Sequence, residues 1–219
     1  MNIQGSYIED EKLASFAASC SKLYKPIGFI SGKNAAGVIS RALHDINTAY
    51  SLVDRRFGKA ASPPTACEWL LDNRYLAQRE AKNAIKSVSS IKHLRSCDDG
   101  VCIFELARSF VRSGHGKVTE DRCRIFLVGA QESVIIPKNE LYLFPSALRA
   151  ALVMQLAGLC NELCTTNSPE ELSDGFAAIF TSLRLIGALD MQKLIESVDA
   201  TEKLFMSDPA GIYPEMDEL

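Results

Sequence analysis

The sequence lacks the features that mark several specialised classes of protein. No cluster of Lys and Arg forms a basic patch, and the formal net charge is only −3, so nucleic acid is not expected as a partner. The opening residues, MNIQGSYIEDEK, contain neither a basic n-region nor an apolar h-region, so no secretory signal is expected. Apolar residues make up 47% of the chain, which excludes disorder as a global description.

A bilayer span and a disulfide framework are also not expected. The most apolar stretch, residues 141 to 160, is interrupted by Pro145, Arg149 and Gln155, so a buried core helix is favoured over a span. The cysteine count is odd and no C-x-x-C occurs, which favours free thiols in a reducing, cytoplasmic compartment. The seven cysteines are Cys20, Cys67, Cys97, Cys102, Cys123, Cys160 and Cys164.

Helical periodicity runs through nearly all of the sequence and predicts an all-α protein, an irregular multi-helix bundle of about eight helices. Residues 1–57 are predicted to form a helical hairpin, with helices over 8–24 and 35–57. The linker GKAASPPT follows at 58–65. Residues 66–219 are predicted to form the main helical domain, with packing as one unit with the hairpin as the alternative. RIFLV and VII near residue 130 are the only strand-like segments, and short β pairing there is the minor alternative.

Local signals place several helix ends. Thr65 is predicted to cap a helix that extends to Ile91, and Thr119 begins another helix. SPEE at 168–171 is typical of a capping box. Asp190 is predicted to cap the last helix, which turns Phe205 inward. Another helix is predicted over 139–165, with a kink at Pro145.

No catalytic or metal motif is recognised. SGHGKVTED lacks the glycine and hydroxyl spacing of a phosphate-binding loop. His93, Cys97 and Cys102 fit no zinc spacing, and no nucleophile elbow is present. The chain is therefore expected to have no catalytic residue, metal ligand or cofactor.

The segment CEWLLDNRYL is the first candidate interaction or ligand surface. It holds the only tryptophan, Trp69, with Glu68, Asp72 and Asn73 at one-turn spacings. The favoured interpretation is a helix turn in which Trp69 anchors the core, and recognition of a partner is the alternative.

The segment NELYLFPSALR is the second candidate. Its Glu140 and Arg149 surround an apolar helix, where a buried ion pair or a backbone cap is favoured over a ligand site. The complete set of candidate surface residues is Trp69, Asp72, Asn73, Tyr142 and Arg149.

Four blocks follow one another in order: EWLLDNRYLAQREAKNAI, ELARSFVRSGHGKVTEDRCRIFL, NELYLFPSALRAALVMQL, and the stretch from LRLIGALD to DPAGIYPEMD. Together they resemble the N-terminal helical region of cyclic β-1,2-glucan synthases, from about residue 41 to 217. The chain departs from the family pattern at Tyr142, where Trp is common, at Asn139, where Gly is common, and at MQK in the last helix.

The resemblance implies a cytoplasmic helical region ahead of transmembrane helices and of a transferase domain that moves glucosyl units from UDP-glucose to a β-1,2-glucan. By this resemblance, the helix-start signal at Asp208–Pro209 is expected to lead into a following domain. The chain is then expected to be an excised or truncated N-terminal region. The expected function is a non-catalytic scaffold that docks against the downstream transferase domain or a separate subunit.

Two other functions remain open at the level of sequence. One is a free-standing helical interaction module. The other is a glucan-binding domain, for which a pocket lined by Trp69, Tyr75 and Tyr142 with convergent carboxylates is expected.

Overall fold

A computed structural model describes residues 7–199, and these residues form a predominantly all-α bundle, as predicted. Ten α-helices lie within the described part of the chain. They are α1 Asp10–Leu23, α2 Gly32–Phe57, α3 Thr65–Asp72, α4 Arg74–Ser89, α5 Cys102–Ser113, α6 Glu120–Gln131, α7 Lys138–Leu141, α8 Phe144–Thr165, α9 Ser173–Ile186 and α10 Met191–Val198. A 3₁₀ turn covers Pro169–Leu172. The predictions for Phe205 and for residues 208–219 lie outside the described residues.

Helix α8 forms the centre of the bundle. Helices α2, α4, α5 and α9 pack around it, which explains why its sequence is apolar on every side. Residues 58–64 connect α2 to α3, and buried side chains from both sides of this connection belong to one hydrophobic core.

Helix α8 is also long and apolar enough to cross a membrane, judged by length and composition alone. Its most apolar window is 56% buried within the protein, a property that the core helix of a soluble protein shares. The 3₁₀ turn and α9 pass the same test jointly with α10, but the pair is bent by 85°.

The predicted helix from Thr65 to Ile91 is divided at Asn73. The backbone leaves helical geometry there, with φ −112° and ψ 14°. The Asn73 side-chain Nδ2 donates to the Trp69 carbonyl at 2.9 Å, the acceptor that the Asn73 backbone N–H would use in a continuous helix. Such competition between an Asn side chain and the backbone ladder is typical of helix ends.

The predicted kink at Pro145 is a helix start instead. Helix α7 ends at Leu141, and Pro145 occupies the first turn of α8, where its missing N–H costs no intrahelical hydrogen bond. These two divisions account for two helices more than the eight expected.

The minor alternative of short β pairing by RIFLV and VII was wrong, because the strands lie elsewhere in the chain. RIFLV belongs to α6, and VII lies in the connector that follows it. The sheet is formed by β1 Gly28–Ile30, β2 Leu94–Cys97 and β3 Gly100–Val101, antiparallel in the order β1-β2-β3. Gly100, the first residue of β3 after the turn at 98–99, has φ +142°, a conformation that other residues rarely adopt.

The helix caps are partly as predicted. The Thr119 hydroxyl accepts from the Arg122 N–H, and Asp190 Oδ1 accepts from the Lys193 N–H. Thr65 is instead the first residue of α3, and the Ser168 side chain makes no capping bond.

Candidate functional site

An open depression lies between α3 and the end of α9, and we call it the α3–α9 depression. Its volume is about 440 Å³. Three of the five predicted surface residues meet there, together with three that were not in the predicted set. The lining consists of Thr65, Glu68, Trp69, Asp72, Asn73 and Arg184.

Trp69 supplies the aromatic wall of the depression. Its ring stacks on Phe180 of α9 with centroids 6.3 Å apart and planes inclined by 13°. Phe180 is fully buried and stacks in turn on Phe176. Trp69 itself is only partly buried, so it both anchors α3 on α9 and presents aromatic surface to the solvent.

Asn73 and Arg184 tie the two sides of the depression together. Asn73 is buried, with its Nδ2 on the Trp69 carbonyl, and its Oδ1 accepts from Arg184 Nη2. Both ends of the amide are therefore fixed. Sequence reasoning missed Arg184 because it lies 111 positions further along the chain. The only available signal was a basic residue in the last turn of α9.

The rim of the depression carries negative charge. Glu68 and Asp72 are exposed, one turn apart on α3. Glu170 accepts from the Thr65 N–H at 2.9 Å, and this hydrogen bond lowers the pKa of the Glu170 carboxyl. Carboxylate acceptors, a guanidinium donor and an aromatic face together suit a polar, hydroxyl-rich ligand.

Arg149 lies outside the depression, in a contact between α4 and α8 that we call the α4–α8 seam. Arg149 Nε donates to Oε2 of the buried Glu80 at 2.9 Å, and Arg79 Nε donates to Oε1 at 2.7 Å. Arg149 thus forms an ion pair, but its partner is Glu80 and not Glu140.

Tyr142 also lies outside the depression, at the end of α7, where it is 42% exposed. Glu140 of the same helix is buried and receives two hydrogen bonds from Arg95 of β2, at 2.7 and 2.8 Å. Tyr75 is exposed on α4 and takes no part in the lining of the depression.

A second surface, which we call the edge surface, consists of Leu23, Ile27 and Phe29. These side chains are 70%, 68% and 71% exposed. Phe29 belongs to β1, which among the described strands pairs only with β2. The outer edge of β1 therefore presents backbone groups without a strand partner among the described residues. Phe29 lies within this strand, Ile27 directly precedes it, and Leu23 ends α1 shortly before.

Basic residues surround the edge surface in the sequence and across the sheet. Lys22 lies in the last turn of α1, Lys25 follows the helix, and Lys92 precedes β2; all three are exposed. His93 contacts the Phe29 ring edge-on at 6.2 Å. Three lysines thus lie close to the edge surface in the sequence or at the start of the paired strand.

Residues 7–199 contain no group of three or more His, Cys, Asp or Glu side chains placed to hold a metal ion. Neither a family model nor a curated protein matches the chain.

Proposed function

We propose that the chain is a non-catalytic helical docking module of a cyclic β-1,2-glucan synthase-like glycosyltransferase, an enzyme that transfers glucosyl units from UDP-glucose to a β-1,2-glucan. Support for the parent family comes from the four ordered sequence blocks. Support for docking comes from one observation: three apolar side chains, each about 70% exposed, beside an unpaired strand edge.

Such an edge is costly to leave uncovered. Isolated proteins usually protect edge strands with charges, proline or a covering element, because open edges recruit other strands. In β1, the sequence Gly28-Phe29-Ile30 carries none of these protections. Contiguous exposed apolar side chains also mark interaction sites.

The proposed mode of docking is addition of a partner strand to β1. Backbone hydrogen bonds would give affinity, and the apolar side chains would select the partner's sequence. Exposed Lys22 and Lys25 lie near Leu23 and Ile27 in the sequence, and Lys92 precedes β2. The partner segment is therefore proposed to be acidic and to belong to the transferase domain on the cytoplasmic side of the membrane.

The test is binding of this chain to a purified transferase domain of a cyclic β-1,2-glucan synthase, measured by biolayer interferometry. We expect Phe29→Asp to weaken binding by at least about tenfold, since it places a charge among apolar contacts. The matched control is Tyr75→Asp, because Tyr75 is an aromatic residue of similar exposure, 74%, on α4. Its affinity should equal that of the unmodified chain.

Absence of binding, or equal loss in both variants, would contradict the docking proposal. Concentration-dependent dimerisation that Phe29→Asp abolishes, without transferase binding, would assign the edge surface to a second copy. The free-standing interaction module would then be favoured.

The α3–α9 depression supports a second candidate function, binding of a β-1,2-glucan. The observation in its favour is the partly exposed Trp69 ring beside the Glu68 and Asp72 carboxylates and Arg184. Trp69 is the only tryptophan, so its intrinsic fluorescence reports on this site without labelling. Glucan binding would be supported if β-1,2-linked glucan changed the Trp69 fluorescence saturably and the Arg184→Gln variant did not show this change. An identical response to β-1,4-linked glucan, or none, would refute it.

A further inference from the structure

The charged residues of this chain are distributed unevenly. Residues 22–44 and 73–97 contain ten of the 24 Lys and Arg residues but only one of the 27 Asp and Glu residues. That single acid, Glu80, is buried. The cations are spread along the sequence, so no cluster is visible in it, but the fold brings the two segments together.

Helices α2 and α4 carry most of the two segments and pack against each other. At one end of their contact, the Gly32 N–H donates to the Ile91 carbonyl at 2.9 Å. Further along, Gln78 Nε2 donates to Asn47 Oδ1 at 2.7 Å. The strands β1 and β2, which belong to the same two segments, are paired directly. The two acid-poor segments therefore form one continuous part of the structure.

The cations of α4 lie on its solvent side. Arg79, Lys82 and Lys86 follow one another at helical spacing, so they share one face of the helix, and all three are exposed. Tyr75 lies one turn before Arg79 on the same face and is 74% exposed. This face extends over about 17 Å from Tyr75 to Lys86, and no exposed carboxylate lies on α4.

Two more lysines extend this surface at the end of α4. Lys33 follows Gly32 and Lys92 follows Ile91, so the hydrogen bond between Gly32 and Ile91 holds the backbones of the two lysines close together. Both lysines are exposed. We call the complete set the α2–α4 basic surface, and it consists of Lys33, Arg79, Lys82, Lys86 and Lys92.

The protein neutralises little of this charge. Glu80 accepts from Arg79 and from Arg149, so two guanidinium groups share one carboxylate and one positive charge remains. The four lysines of the surface form no salt bridge with any residue in the described range 7–199. An extended negatively charged partner would therefore be attracted by all of these cations together.

From this arrangement we propose that the α2–α4 basic surface binds an anionic lipid bilayer. Lysines held near such a bilayer are attracted by its acidic headgroups, and α4 can lie flat while their long side chains reach the headgroups. Tyr75 suits the same place, because an aromatic ring with a hydroxyl group favours the boundary between headgroups and acyl chains. Four of the five cations are lysines, which suit a diffuse layer of charge better than the bidentate recognition of single phosphates that arginine provides.

The experiment is sedimentation of the full chain with sucrose-loaded vesicles. One vesicle preparation contains phosphatidylcholine alone, and the other contains equimolar phosphatidylcholine and phosphatidylglycerol. We expect binding to the mixed vesicles only. Raising the salt concentration from about 0.1 M to about 1 M should remove this binding, because the Debye length falls from about 10 Å to about 3 Å.

Paired variants separate this surface from general attraction of a charged chain to lipid. Lys82→Gln combined with Lys86→Gln should weaken binding to mixed vesicles about 25-fold, since each lysine near an anionic bilayer contributes about fivefold. The matched control is Lys12→Gln combined with Lys117→Gln, two exposed lysines elsewhere on the chain, and its affinity should equal that of the unmodified chain. Tyr75→Ser should cause a smaller loss than the lysine pair.

The proposal is overturned if the two double variants bind equally, if neutral vesicles bind as well as mixed vesicles, or if salt has no effect. Duplex DNA or a poly-glutamate peptide that binds at least as tightly as the mixed vesicles would also overturn it and assign the surface to nucleic acid or to an acidic protein. These results are distinct from those of the transferase test, because none of the variants changes β1.

Discussion

The α4–α8 seam and the α3–α9 depression use similar residues for opposite purposes. Both lie along the α3–α4 segment, and both combine carboxylates with arginine from a distant helix. In the seam, Glu80 is buried and each of its oxygens accepts from a separate arginine. In the depression, Glu68 and Asp72 face solvent, and Trp69 shows part of its ring.

The same residue types therefore occur both in a structural ion pair and in a candidate ligand site, so residue type alone does not distinguish the two. What separates them is whether the protein itself satisfies each polar group. Glu80 is buried and both of its oxygens already accept from arginines of the protein, whereas the depression offers acceptors, a donor and an aromatic face to anything that enters.

The largest effect is expected in the seam. Glu80→Ala leaves Arg149 partly buried without its carboxylate, and we expect the free energy of unfolding to fall by about 3 kcal/mol. Glu68→Ala, an exposed carboxylate on α3, should change it by less than about 0.5 kcal/mol. Urea denaturation monitored by circular dichroism measures both. Equal losses would show that the two regions do not differ as described.

A smaller effect is expected at the boundary between the regions. Trp69→Ala removes the stack on Phe180 and should cost about 2 kcal/mol. Asn73→Ala removes the amide that joins Trp69 to Arg184 and should cost about 1 kcal/mol. Urea denaturation of each variant tests this order. A larger loss of unfolding free energy for Asn73→Ala than for Trp69→Ala would mean that Asn73, not Trp69, is the main anchor of α3 on α9.

The contrast extends to the ionisation of two other carboxyls. Burial raises the pKa of Glu105 above 4.5, whereas the Thr65 N–H lowers the pKa of Glu170 below 4.5. Stability from Glu105 is present below the unfolded-state pKa and is lost as pH rises through the folded pKa. Stability from Glu170 is present above its unfolded-state pKa and is lost as pH falls through the folded pKa.

Carboxyl-carbon NMR titration measures both pKa values directly, with Glu105→Gln and Glu170→Gln assigning the signals. We expect the two titrations on opposite sides of 4.5. A Glu105 titration below that value would mean that Arg108, not burial, controls this carboxyl.

The smallest expected effect is covalent labelling of the cysteine thiols in the native protein. Cys164 is exposed, and the other six cysteines are buried; burial raises the pKa of Cys123 to about 12. We expect one fast-reacting thiol in the native protein and seven after unfolding, because access and thiolate content control the rate. Mass spectrometry should find the early label on Cys164, and Cys164→Ser should abolish it. Early labelling of Cys123 would contradict the buried α1–α6 packing.

The helical class could be predicted from the sequence because apolar residues about 3.6 positions apart lie on one face of a helix, and in this bundle those faces pack into the core. The capping roles of Thr119 and Asp190 were likewise local. The break at Asn73 was not predictable from periodicity, because apolar spacing continues through it while the side chain of Asn73 takes the Trp69 carbonyl.

The candidate site was only partly predictable for the same reason. Trp69, Asp72 and Asn73 are neighbours in sequence, so their grouping was visible. Arg184 and Phe180 reach them only because α9 packs on α3, which no spacing rule gives. The edge surface was missed because β1 and β2 lie more than 60 positions apart, in segments too short to show alternation.

Hydrogen–deuterium exchange on the chain with and without the purified transferase domain tests the docking proposal most directly. Strand addition predicts slower amide exchange in residues 27–31, with no change around Tyr75 on α4, and loss of that protection in Phe29→Asp. Complex formation with unchanged exchange in β1, or protection confined to another face of the bundle, would contradict docking at the edge surface.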